Sequence, residues 1–71
     1  MTTEPLRISL AAARVNAGLT QDDVARAIHV SKQTIVNWEK GKIIPAFSVV
    51  NTLSGLYNIS IDNIFLPEKS T

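Results

Sequence analysis

The sequence predicts an all-α fold, a compact five-helix domain spanning residues 1–71, with a core over 6–66. Three observations predict it. Apolar residues recur at helical spacing, as in Leu6, Leu10, Ala13 and Ala17, and no stretch reads as a strand. Helix starts and stops alternate along the chain, with Thr20, Ser31 and Ser60 as caps and Gly18, Gly41, Asn58 and Pro67 as stops. The chain has 71 residues, 45% of them hydrophobic, and no Cys, so a single small core must hold the fold by apolar burial alone.

Each element follows in order. Pro5 suits the first turn of a helix that Gly18 ends. Thr20 caps the next helix, Asp23 stands in capping-box position, and Asp22 and Asp23 both favour the positive end of the helix dipole. Val24, Ala25 and Ile28 form its buried stripe. His29 falls where the chain must turn, and His is one of the few non-Gly residues enriched at positive φ. Val30 plugs the core beneath that turn, and Ser31 caps a third helix running to Lys40, which Gly41 ends. Pro45 opens a fourth helix with Phe47, Val50, Leu53, Leu56 and Tyr57 as its stripe, and Gly55 inside it costs about 1 kcal/mol relative to Ala. Ile61 to Leu66 form a short fifth helix stopped by Pro67, before a frayed polar tail over 67–71.

Composition narrows the function. Without Cys there is no disulfide framework, thiolate metal site or cysteine nucleophile. A lone His makes no conventional metal site, and Thr20, Ser31 and Ser60 read as caps because no base is paired with them. No run approaches a membrane span, and the first ten residues lack a signal-peptide pattern, so the expectation is a cytoplasmic protein with no cofactor and no enzymatic activity. The net charge is only +1. It is unevenly spread: residues 24–45 carry Arg26, Lys32, Lys40 and Lys42 against Glu39, while both flanking thirds are slightly acidic. The basic face is local.

That face lies on the third helix. With Lys32 at zero on a wheel of about 100° per residue, Val36, Lys40, Gln33 and Asn37 fall at roughly 40°, 80°, 100° and 140°. Ile35 and Trp38 fall near 300° and 240°, on the core side. Alone, the lysines are equally compatible with a solvated face. Amides and ammonium groups are also what base edges and phosphates require: Gln and Asn pair with adenine, Lys with guanine, and Val touches a thymine methyl. Two helices joined by a short turn, with such a face on the second, describe a helix-turn-helix.

Residues 6–66 resemble the helix-turn-helix family of phage repressors and Cro proteins, the Xre-like bacterial regulators of lambda-repressor-like fold. The resemblance is carried by Leu19-Thr20-Gln21, Val24-Ala25, Val30-Ser31-Lys32-Gln33-Thr34-Ile35, Trp38-Glu39-Lys40-Gly41-Lys42, Pro45 and Asn58-Ile59-Ser60. It implies base contacts from Lys32, Gln33, Val36 and Asn37. It implies backbone contacts from Gln21, Ser31, Lys40 and Lys42, with Thr34 bracing the recognition helix. Arg14 and Glu39 match a buried ion pair of some members. Ala46 departs from the Ser or Asp common after the proline, and Val36 from the polar residues common at its position.

The partner so implied is double-stranded DNA carrying a palindromic operator, bound by a homodimer with half-sites about 34 Å apart. Ile61, Ile64 and Phe65 serve the core first, with part of their helix left for the dimer contact, while Ile43 and Ile44 have no assigned place. Two rivals share these residues. One is a small phage-switch modulator that binds another repressor protein, and the other is an antitoxin-type regulator.

Overall fold

Ser9 sets where the helical part begins. The structure is a computed structural model that describes residues 7–66, with the backbone alone at Phe65. The Ser9 hydroxyl accepts the Ala12 N–H at 3.1 Å, and the first helix, α1, runs Leu10–Asn16 from that cap. This start is later than the spacing of Leu6 and Leu10 predicts. Ser9 is in extended conformation (φ −69°, ψ 163°), and its side chain satisfies a helix-end donor that an upstream turn would otherwise take. Ala17 is the C-cap and exposed, so it is not part of the buried stripe. Gly18 follows at φ 76°, and the Leu19 N–H returns to the Arg14 carbonyl, a left-handed helix exit.

The next two helices are α2, Gln21–Ile28, and α3, Lys32–Lys40. At the start of α2, Thr20 and Asp23 close a reciprocal capping box at 3.0 and 2.9 Å. His29 ends it in left-handed conformation (φ 61°, ψ 46°), and the Val30 N–H reaches back to Ala25. Ser31 accepts the Thr34 N–H, starting α3 three residues after α2 ends. Gly41, at φ 77°, terminates α3, and the fourth helix, α4, runs Phe47–Tyr57 to a left-handed exit at Asn58.

Residues 61–66 correct the predicted fifth helix. They form a single 3-10 turn, Ile61–Asn63, capped by Ser60, and then a two-residue strand, β2 (Ile64–Phe65). That strand lies parallel to β1 (Ile8–Ser9), with Ile8 opposite Ile64 and Ser9 opposite Phe65. Six residues are too few to repay helix nucleation, and Leu66 precedes a proline, which disfavours the helical region. The extended backbones of Ile8 and Ile64 satisfy one another instead. The expectations for Pro5, Leu6, the Phe65 side chain and the tail 67–71 lie outside the described residues.

The core gathers Leu10 and Ala13 of α1, Val24 and Ala25 of α2, Ile35 of α3, Val50, Leu53 and Tyr57 of α4, and Ile64 of β2. Val24, Ile35 and Leu53 are its most enclosed side chains. Trp38 and Val30 pack against it from the rim. Phe47, placed on the α4 stripe by spacing, is instead 75% exposed. Among the described residues, no helix is long and apolar enough to cross a membrane.

Candidate nucleic-acid interface

The outward face of α3 is built by what its inward face buries. Ile35 is 2% exposed and Trp38 leans on the same core, which fixes the rotation of the helix about its axis. Lys32, Gln33 and Lys40 are therefore exposed on the other side, with Val36 and Asn37 half-buried between them. Lys42 is exposed in the turn that follows. At the start of α3 the Ser31 and Thr34 hydroxyls lie 2.8 Å apart, so the cap and its brace form one unit.

The acids are placed as deliberately as the bases. Glu39, the single carboxylate of the basic middle third, turns inward: its Oε2 accepts Arg14 Nε at 2.7 Å, with side chains 8% and 14% exposed. Arg14 Nη2 reaches Glu39 Oε1 at 3.4 Å, and Nη1 donates to the Leu19 carbonyl at 2.9 Å. The Glu39 carboxylate, bonded and close, raises the Arg14 pKa above its ordinary value against the opposing effect of burial. Gln21 joins this group, its Nε2 donating to Glu39 Oε1 at 2.9 Å. With the Glu39 charge drawn inside, the α3 surface is left to its lysines.

Two further pairs shape the face. Gln33 Nε2 donates to Asn37 Oδ1 at 3.0 Å, one helical turn along. Lys32 Nζ stands 4.0 Å from Asp22 Oδ2, both side chains more than half exposed. Asp23, by contrast, is spent on the cap: the Thr20 N–H, then the Thr20 hydroxyl and Arg26, hold its carboxyl below the ordinary range. Among the described residues, no group of His, Asp and Glu side chains is arranged to hold a metal ion.

A helix, a turn of three residues through a left-handed His29, and a second helix that presents amides and ammonium groups make up residues 21–40. Residues 10–64 match the model of the helix-turn-helix family. The chain belongs to the helix-turn-helix family of DNA-binding transcriptional regulators.

Its relatives are spread over archaea and bacteria. An uncharacterized HTH-type transcriptional regulator of Methanocaldococcus jannaschii is 38% identical over 50 residues, which is 70% of this chain and 76% of that protein. One from Archaeoglobus fulgidus is 32% identical, over 75% of this chain and 76% of its own. The HTH-type transcriptional activator BcrR of Enterococcus faecalis is 30% identical over 79% of this chain but only 28% of BcrR. No solved structure gives a significant match.

In this helix-turn-helix protein, three placements escape the sequence reading. Gln21 is held by Glu39 in the unbound protein, Asp22 faces Lys32 across the gap between α2 and α3, and Phe47 stands out from α4. The first two had no local signal, since their partners lie 18 and 10 positions away in the chain. Phe47 is the first residue of α4, after the Ala46 cap, rather than a residue within a helix opened by Pro45.

Proposed function

We propose that the protein binds a specific DNA sequence, with α3 in the major groove and α2 across the backbone. The observation that carries this is the division of α3: Ile35 inward at 2% exposure, Glu39 turned away, and Lys32, Gln33, Val36, Asn37 and Lys40 on the opposite side. An α-helix fits the major groove, and amides and ammonium groups match what the groove and its phosphates present. Lys32, Gln33 and Asn37 make up the surface turned to the base edges, with Val36 offering a methyl contact. Ser31, Lys40 and Lys42 serve the backbone, joined by Gln21 through whatever of its amide Glu39 leaves free. Regulation by two archaeal relatives and activation by BcrR, as their names state, agree with such a role.

One small half-site binds weakly, so the functional unit is a symmetric dimer on a palindromic operator, with half-sites about 34 Å apart. The groove between the start of α4 and residues 61–66, lined by Pro45, Phe47, Val50, Ile61, Asp62, Ile64 and Leu66, supports this contact. Its Phe47 is a large apolar side chain left in water.

Selection from random duplex DNA tests the reading. One site should be enriched, and Lys40→Ala and Lys42→Ala should weaken all duplexes alike, lowering the salt slope by about one unit per lost contact. Enrichment of no site, together with capture of a second repressor by the same face, would turn the conclusion towards a protein-binding modulator.

A further inference from the structure

We propose that Asn37 is a positioning residue for Gln33, and that the amide edge it leaves outward selects adenine. The proposal rests on the reading of α3 as the base-reading helix and goes beyond it by assigning different tasks to its two amides.

The observation is the bond from Gln33 Nε2 to Asn37 Oδ1, 3.0 Å long and already present without DNA. A primary amide offers one acceptor oxygen and two N–H donors. Gln33 spends one N–H on Asn37 and keeps its Oε1 together with the second N–H. An acceptor beside a donor is the complement of adenine in the major groove, whose N6 amine donates and whose N7 accepts. Guanine presents two acceptors there, N7 and O6, and would set the Gln33 oxygen against one of them.

The two residues are suited to unequal roles. Gln33 is the longer and is exposed, so alone its amide would rotate freely and offer either order of donor and acceptor. Asn37 is shorter and half-buried. Its own backbone carbonyl accepts from the N–H groups of Gly41 and Lys42, the latter at 2.9 Å, which holds the last turn of α3 closed beneath it. A shorter, half-buried acceptor one turn from a longer, exposed amide limits which edge that amide shows.

The reverse assignment has a distinct consequence. Were Asn37 to donate to Gln33 Oε1, one lone pair of that oxygen would be taken and both Gln33 N–H groups left outward, an edge suited to the two acceptors of guanine. Adenine is the base expected of the observed direction.

The test takes the full chain through selection on random duplexes, then measures affinity for the selected site and its single-base variants. The wild-type protein should enrich adenine at the pair that Gln33→Ala relaxes. Asn37→Ala should relax that same pair, each variant losing roughly 5- to 150-fold on the adenine site. The double variant should bind no worse than the weaker single one, the mark of two residues acting as a unit. Guanine at that pair would overturn the proposal, as would losses that multiply, or an Asn37→Ala effect at a different pair. Failure of the wild-type chain to enrich any duplex would overturn the reading of α3 itself, a separate result from these.

Discussion

Removing the Glu39 carboxylate should cost this protein much of its stability. Glu39 is 8% exposed and its partner Arg14 is 14% exposed, so little water reaches the pair. Glu39→Ala takes the acceptor from Arg14 Nε (2.7 Å), from Arg14 Nη2 (3.4 Å) and from Gln21 Nε2 (2.9 Å) at once. A guanidinium with one remaining bond, to the Leu19 carbonyl, stays between α1 and α3. Breaking a buried pair from one side costs about 3–5 kcal/mol, and the partial access of Arg14 to water places this case near 3. A domain of this size has roughly 4–11 kcal/mol in total. With a urea m-value near 1 kcal/mol/M, the unfolding midpoint should fall by about 3 M. Arg14→Met with Glu39→Leu should recover most of the loss, because no uncompensated charge then remains. A midpoint shift below about 1 M for Glu39→Ala is the outcome an exposed pair would give, and it would refute the reasoning.

Gly55→Ala should stabilise the protein by about 1 kcal/mol, since Gly55 lies inside α4 and a Cβ built there meets nothing within 4 Å. Thermal unfolding would show this as a rise of roughly 4–8 °C, and an unchanged or lower midpoint would contradict it. Burial, and then the nearby Glu39 charge, push the Tyr57 phenol up to about 12, from 10.0. The unfolded chain thus loses this proton first, and the stability Tyr57 contributes is complete below pH 10 and lost as pH rises through about 12. Tyr57→Phe should remove that alkaline fall in denaturant titrations; a fall of the same size in the variant would assign it elsewhere. Phe47→Asp should leave the helical circular dichroism intact, because the side chain is 75% exposed, yet prevent dimer formation in sedimentation on a full operator. A variant dimer as tight as the wild type would remove this groove from the self-contact.

Much of the molecule was legible from neighbouring residues, because caps and turns are local physics. Thr20 and Asp23 satisfy each other within one turn of helix, and His29, Gly41 and Asn58 take left-handed conformations that their side chains, or the lack of one, tolerate. The division of α3 into Ile35 on one side and Lys32, Gln33 and Asn37 on the other follows from helical spacing alone. The sequence by itself thus determined four helices, the turn between α2 and α3, and the side chains that face outward from α3. Tertiary structure decided the ends and the pairings. Ile61–Leu66 has the apolar content of a helix, but Ile64 becomes strand because the backbone of Ile8, at the far end of the chain, is there to pair with it. Phe47 follows the α4 stripe in spacing and is still 75% exposed, at the first position of the helix, while Val50, Leu53 and Tyr57 further along are buried. Which residue holds Gln21, and where the Glu39 charge points, depend on Arg14 being brought beside α3 by packing of the core. Periodicity reports which side of a helix is buried; only the assembled core settles what lies against it.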